Sequence, residues 1–345
     1  MILEELSNLF GVSGYEENVR SFLQEKLAPK VDEVKVDTIG NLILFKRGRN
    51  CSKKVMFLAH MDEVGMMVRQ IQKNGMIKFS PIGSIDDSIF PAKRVVVIGK
   101  EKLSGVISTR PIHVQRGPEF DTPISRDRLY IDVGANSADE LQGKIELGDP
   151  IAFDTKFERF GPHTFKGKAF DDRVGCAVLA ELIEKEIVPE YDTWFVFGVQ
   201  EEVGLRGSKV ASFRIQPDLA FVVEGTTACD IPMVERPRYT TQMGKGPSIV
   251  VAHHGLVFQK KVIQWMENIA KLGGVPYQIK EKIAGGTDAA AISKTAGGVY
   301  TGLISLPIRY IHSPVSLMNE DDFVHAKRLI ELFYCQEKTF FDEYA

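Results

Sequence analysis

Four apolar stretches of this chain run directly into residues that can bind metal or move protons. Val55–Ala59 leads into His60-Met61-Asp62, Thr193–Gln200 into Glu201-Glu202, and Leu219–Val223 into Glu224. The segment after Leu303 reaches Ile311-His312-Ser313-Pro314, and Phe170 is followed by Asp171-Asp172 at the expected start of a helix. One such residue means little, because strand ends border solvent and a lone histidine is more often a satisfied core residue. Five convergent sites are different. Two imidazoles and three or more carboxylates match the donor mix of a zinc or cobalt pair bridged by one carboxylate. Two cations about 3.5–4 Å apart can serve a water nucleophile and a substrate carbonyl together.

The neighbours of these residues carry further expectations. Asp62 lies two residues beyond His60, a spacing that lets its carboxylate accept the second imidazole N–H and set the tautomer. In Glu201-Glu202, one carboxylate can ligate while the other takes a proton from water and passes it to a leaving amine. The small-residue run Gly285-Gly286-Thr287-Asp288 opens a helix. It reads either as a substrate-pocket wall, where backbone approaches a ligand closely, or as an ordinary helix cap. His253 and His254 are adjacent, so on a strand they point to opposite faces and do not share a metal. Those two, with His113, His163 and His325, are expected to be surface or structural.

The elements that must position these groups follow from periodicity. Two helices are expected in the first thirty residues, the second opened by a Ser13-x-x-Glu16 capping box. Strands are expected at Val34–Asp37, Leu42–Phe45 and Val55–Ala59. From about Met66 to Pro162, short β-like runs alternate with Gly, Pro and Asp turns, which reads as a small all-β domain inserted into another. Helix and strand then alternate: a helix over Asp172–Glu186, strands at Thr193–Val199 and Leu219–Val223, and a helix over Leu256–Leu272. A strand at Gly297–Leu303 and one long helix over Asp321–Tyr344 complete the pattern. Such alternation predicts an α/β sheet covered on both faces, with ligands beyond the carboxyl ends of its strands.

Composition bounds the function. The 345 residues carry a net charge of −3 and are 44% hydrophobic and 26% charged, which disfavours a nucleic-acid binder. No apolar run spans a membrane, and the first residues lack the pattern of a secretory leader, so a cytoplasmic enzyme is expected. Four cysteines without a C-x-x-C pair suit a reducing compartment and build no zinc ribbon.

Five motifs together carry a resemblance. Ala59-His60-Met61-Asp62-Glu63-Val64-Gly65, Ala169-Phe170-Asp171-Asp172-Arg173-Val174-Gly175, Gln200-Glu201-Glu202-Val203-Gly204, Gly285-Gly286-Thr287-Asp288-Ala289 and Ile311-His312-Ser313-Pro314 resemble the tetrahedral (TET-type) metalloaminopeptidase family, which includes glutamyl and deblocking aminopeptidases. The resemblance spans essentially the whole chain. It implies a three-layer α/β/α catalytic domain from residues 1–65 and 163–345, with a β-rich dimerisation domain over 66–162. It implies two divalent ions (zinc or cobalt, or manganese) held by His60, Asp171, Glu202, Glu224 and His312, with Asp171 bridging and Glu201 as general base. Gly285, Gly286, Thr287 and Asp288 would line the substrate. The implied activity is removal of amino-terminal residues from short peptides, in an assembly of dimers forming a dodecamer. One departure is Glu224, where many relatives carry Asp. It leaves open a deacylase or another exopeptidase on the same scaffold. A polysaccharide hydrolase using the acidic pairs would leave His60 and His312 idle, and a metal-storing scaffold or a binding module gives no reason for the intact set.

Overall fold

The computed structural model describes residues 1–114, 124–335 and 339–344. Helices α1 (Ile2–Asn8) and α2 (Glu17–Leu27) precede strands β1 (Glu33–Val36), β2 (Leu42–Lys46) and β3 (Asn50–His60). A closed barrel follows, made of β4 (Gly65–Ile71), β5 (Ile77–Ile82), β6 (Arg94–Ile98), β7 (Lys102–Ser108), β8 (Tyr130–Asp132) and β9 (Pro150–Phe153). It closes in the order β4-β5-β8-β7-β6-β9 around its own core of Met66, Val68, Ile77, Phe79, Phe90, Val95, Val97 and Ile151. Closure removes the exposed sheet edges that so many short strands would otherwise present.

The chain then returns to the large sheet. In order come β10 (Glu158–Arg159), β11 (Thr164–Gly167), α3 (Phe170–Glu184), β12 (Tyr191–Gly198), α4 (Arg206–Ile215), β13 (Leu219–Thr227), β14 (Ser248–Ile249), β15 (Ala252–His253) and β16 (Leu256–Val257). After these lie α5 (Lys260–Leu272), β17 (Gln278–Ile279), α6 (Asp288–Ile292), β18 (Tyr300–Arg309), β19 (Ser316–Asn319), α7 (Glu320–Cys335) and α8 (Phe340–Tyr344). The sheet runs β1-β2-β12-β3-β13-β18-β19-β11-β10, with β14 added to β18 and β17 to β14. Its centre, β12-β3-β13-β18, is parallel. Phe57, Leu58, Phe195, Val196, Phe221, Val222, Leu303 and Ile304 there are all buried, as expected of parallel strands covered on both faces. Helix α3 packs on β3 and β13 beside α1 and α7, while α4 and α6 pack together against the strands.

Several local expectations are corrected. Ser13 does not cap α2: the N-cap is Glu16, and the Ser13 hydroxyl donates instead to Asp62 at 2.7 Å. The helix expected from Leu256 starts at Lys260, because Leu256 and Val257 pair with Ala252 and His253 in a hairpin. The single C-terminal helix is two. Thr339 precedes α8 and its amide and hydroxyl both donate to Asp342 at 2.8 Å, a local start signal that periodicity alone does not show. Strand β18 runs six residues beyond the Leu303 end expected for it, and β13 continues past Glu224 to Thr227. Glu224 is therefore a within-strand residue. Strand β10 pairs with β11 in the large sheet rather than with the barrel. Strand β4 and helix α4, like strands β11 and β19, escape the sequence pattern.

Candidate metal centre

The parallel centre of the sheet brings the chemistry together at its carboxyl edge. His60 is the last residue of β3 and pairs in register with Gly198 of β12, two residues before the turn that carries Glu201 and Glu202. Glu224 lies opposite Ser305 in the β13–β18 ladder, and His312 follows β18. Asp171 and Asp172 begin α3 with non-helical dihedral angles, so Asp171 points across the strand ends while the helix proper starts behind it. Backbone in the left-handed region clusters here: Ala169 (φ 56°), Gln200 (φ 55°), Tyr310 (φ 61°) and His312 (φ 55°). Such conformations are uncommon for residues with a Cβ and collect where a site over-determines the chain.

Asp171 faces both histidines. Its Oδ1 lies 3.4 Å from His60 Nε2 and its Oδ2 3.2 Å from His312 Nε2. Glu224 Oε1 is 3.9 Å and Glu201 Oε2 4.0 Å from His60 Nε2, while Glu202 Oε1 is 3.3 Å from His312 Nε2. The donor atoms of His60, Asp171 and Glu202 lie within 4.8 Å of one another, as do those of His60, Glu201 and Glu224. His60 Nε2, Asp171 Oδ1 and Glu224 Oε2 are buried without a hydrogen-bond partner. Buried polar atoms are rarely left so. Three of them converging among two imidazoles and four carboxylates is a donor set that fits a pair of divalent cations.

The surrounding residues hold these donors in place. His60 Nδ1 meets only acceptors, the Asp62 carbonyl at 3.2 Å and carboxylate at 3.3 Å, so it carries the proton and leaves Nε2 free. Asp62 also accepts from Ser13 Oγ and from the amides of Glu201 and Glu202, at 2.7, 3.0 and 3.1 Å. One buried carboxylate thus ties two strand ends and the N-terminal turn together. His312 Nδ1 donates to the Ser84 carbonyl at 3.0 Å, a contact supplied by the loop after β5. Asp172 accepts from the amides of His60 and Gly175 at 3.0 and 2.9 Å. Glu63, the second acid of its motif, is paired with Lys168 and Arg173 and accepts from the Gly11 amide. Sequence offered Ser13 only as a helix cap and Asp172 only as part of a helix start, and it did not mark Ser84. Asp172 carried the one signal toward the site, as the neighbour of Asp171.

The four residues expected at the substrate wall divide. Gly285 and Gly286 are exposed. Thr287 caps α6, accepting from the Ala289 amide, and donates to His253 Nε2 at 3.1 Å. Asp288 is buried and accepts from Ser208 Oγ at 2.5 Å. Thr287 is therefore a helix cap, one of the two readings its sequence offered.

Electrostatics follow from crowding acids out of water. Burial pushes Glu201, Glu202 and Glu224 above the usual carboxylate range, and neighbouring carboxylates add to it. Burial disfavours charge on the histidines too, but hydrogen bonds to acids outweigh it. His312 is raised to about 11 by Asp171 and Glu202, and His60 lies well above its ordinary value through Asp171 and Asp62. The acids of the centre thus favour positive charge at both imidazoles.

Known proteins resemble this chain along almost its whole length. Residues 40–329 match the M42 glutamyl aminopeptidase family. A putative aminopeptidase of Acetivibrio thermocellus is 37% identical over 334 residues, covering 97% of this chain and 98% of that protein. The TET1 peptidase of Pyrococcus horikoshii, described as assembling into a tetrahedron or a large octahedral shell, superposes with a TM-score of 0.87 at 31% identity, covering 97% of this chain and 98% of its own. A Thermotoga maritima protein whose structure was described as an endoglucanase is 40% identical, with a TM-score of 0.81 and 96% of each chain covered.

Proposed function

This chain belongs to the M42 glutamyl aminopeptidase family, a metal-dependent peptide-bond hydrolase family, and on that premise we propose which of its residues perform the hydrolysis. The observation that carries the assignment is Asp171, each of whose oxygens faces a different histidine. Asp171 would bridge two cations, one held with His60 and Glu224 and the other with Glu202 and His312. When bound, the pair supplies Lewis acidity that lowers the pKa of water and polarises the scissile carbonyl.

The protein's own groups do the rest. Glu201 takes a proton from the attacking water and delivers it to the leaving nitrogen. Its buried surroundings, which raise its proton affinity, support both halves of that task. Asp62 holds the His60 tautomer and, through the Glu201 amide, the base itself. Thr287, with the exposed Gly285 and Gly286, would border the substrate, and Asp288 would support that border from beneath. Cleavage at a free amino end is the family's reaction, and short peptides are the substrates we infer.

The donor set suits zinc, cobalt or manganese. We further propose that residues 66–162 carry the dimer contact and that dimers assemble into a closed dodecamer, as the dodecamer described for a TET1 relative suggests. Among the described residues no helix is long and apolar enough to cross a membrane, and a cytoplasmic location suits four free cysteines. The endoglucanase description of one neighbour favours no second reading. Trp265 is buried and Trp194 packs on the core, so neither offers a sugar platform. The deciding measurement is amino-acid release from free and N-acetylated peptides with each metal. Release from free peptides alone, abolished by chelator, is expected. Release from acetylated peptides would reassign the site to a deacylase or another exopeptidase.

A further inference from the structure

A cavity of about 500 Å³ opens at the seam between the large sheet and the barrel, and none of the proposed metal ligands lines it. One side is the start of α2 with the turn before it, and the other is the end of β6 with the approach to β9. The Tyr15 hydroxyl donates to the Gly148 carbonyl at 2.5 Å and ties the two sides together. Two charged groups on the wall lack partners. Glu16 is only 3% exposed. Its Oε1 accepts from the amides of Gly14 and Gln200, at 2.7 and 3.1 Å, while no other described residue donates to its Oε2. Arg20 is half-buried, and among the described residues its guanidinium meets one acceptor, the Gly40 carbonyl at 3.3 Å, and no carboxylate. A buried carboxylate with one bare oxygen is costly, and a guanidinium has five N–H groups to satisfy.

Their spacing limits what can complete them. The Arg20 amide donates to the Glu16 carbonyl at 2.9 Å, so the two side chains leave one helical turn, where Cβ atoms four residues apart lie about 5–6 Å from each other. A small molecule carrying a cation and an anion on one carbon suits that span. Past these two groups the wall is apolar, made by Val12, Ile39, Ile98 and Pro150, whereas Glu17, Lys100 and Glu146 are exposed. Burial raises the Glu16 pKa above the usual carboxylate range and Asp62 adds to it, and a bound ammonium counters both.

We propose that this cavity binds a free α-amino acid with an apolar side chain, its ammonium on Glu16 and its carboxylate on Arg20. The identity of the ligand rests on the aminopeptidase reading above, because each cleavage at a free amino end releases one such molecule. Both of its charges then gain charge-assisted partners, and its side chain covers the apolar wall. Through Oε1, Glu16 also holds the amide of Gln200, the residue before Glu201. The occupant thus stands one carboxylate away from the catalytic turn.

The test is calorimetric titration of L-leucine into the metal-loaded full chain, with acetohydroxamate saturating the metals so that their centre takes no leucine. Binding at a single site is expected. Leucinamide lacks the carboxylate and isocaproate lacks the ammonium, and each should bind at least about tenfold more weakly. Arg20→Met should weaken leucine by about the same factor, and Ile98→Trp, which fills the cavity, should abolish its binding. Absence of leucine binding to the wild type overturns the proposal and needs no variant to fold. Equal affinity for leucine and leucinamide overturns it, because Arg20 then holds no carboxylate. Unchanged binding in a folded Ile98→Trp also overturns it, since the ligand then sits elsewhere. Failure to hydrolyse any free peptide, with metals bound, sinks the aminopeptidase reading instead, whatever the titration shows.

Discussion

At the scale of single residues, the centre is a set of donors that need cations. Glu201 lies farthest from the His60 ring among the acids that approach it and is raised well above the usual carboxylate range by burial. Glu201→Gln keeps the shape and loses the proton acceptor. We expect kcat to fall by about 10²–10⁴ with metal content unchanged, measured by turnover and metal analysis on the same sample. Near-normal turnover would remove Glu201 from its role. The histidines make a second prediction. With its folded pKa at about 11 against 6.5 for the free ring, His312 is protonated at neutral pH in the metal-free fold. Its ion pair therefore stabilises that fold fully below pH 6.5, and this contribution is lost as pH rises through about 11. A cation must displace the proton. Calorimetry in buffers of different ionisation enthalpy should show proton release on metal binding at pH 7, with affinity weakening as pH falls. Binding without proton release would contradict it.

At the scale of elements, the site depends on how closely α3 approaches β13. Gly175 permits this: a Cβ there would lie 2.5 Å from Asp172 Oδ1 and 2.5 Å from the Val223 carbonyl, neither of which is a flexible chain end. Gly175→Ala should cost about 1–3 kcal/mol in urea unfolding, as an overpacked core does. It should also weaken metal binding, because Asp172 holds the His60 amide. An unchanged midpoint with normal metal affinity would show that the helix can slide away freely. The barrel contributes at this scale too, since the loop holding Ser84 supports His312.

At the scale of the whole molecule, two cores are joined around one acidic centre. The sheet and its helices enclose the first core and the barrel the second. The residues proposed as ligands come from five segments separated by up to 252 positions of chain, from His60 to His312. Cations that bind only the folded arrangement stabilise it by mass action, about 2.7 kcal/mol at a concentration one hundred times Kd. Chelation should therefore lower the melting temperature, and adding back zinc, cobalt or manganese should restore it. A melting temperature indifferent to metal would argue that no cation is held by the folded site.

What the residues determined alone was the chemistry and its frame. His60, Asp171, Glu201, Glu202, Glu224 and His312 stood out because charge at the end of an apolar strand is costly unless it binds something. The parallel strands were legible because double burial writes continuous apolar runs such as Val55–Ala59. Tertiary structure decided what local pattern cannot encode. Ser13 faces a free choice between capping α2 and donating to Asp62, and the fold makes it by placing a buried carboxylate 2.7 Å away. The break before α8 depends on a side-chain turn at Thr339 that leaves the apolar rhythm intact. The bare oxygen of Glu16 is invisible in sequence, because a glutamate three residues after Ser13 reads as half of a capping box. Only the packed chain shows that its carboxylate is buried on the wall of a cavity and holds the turn before Glu201.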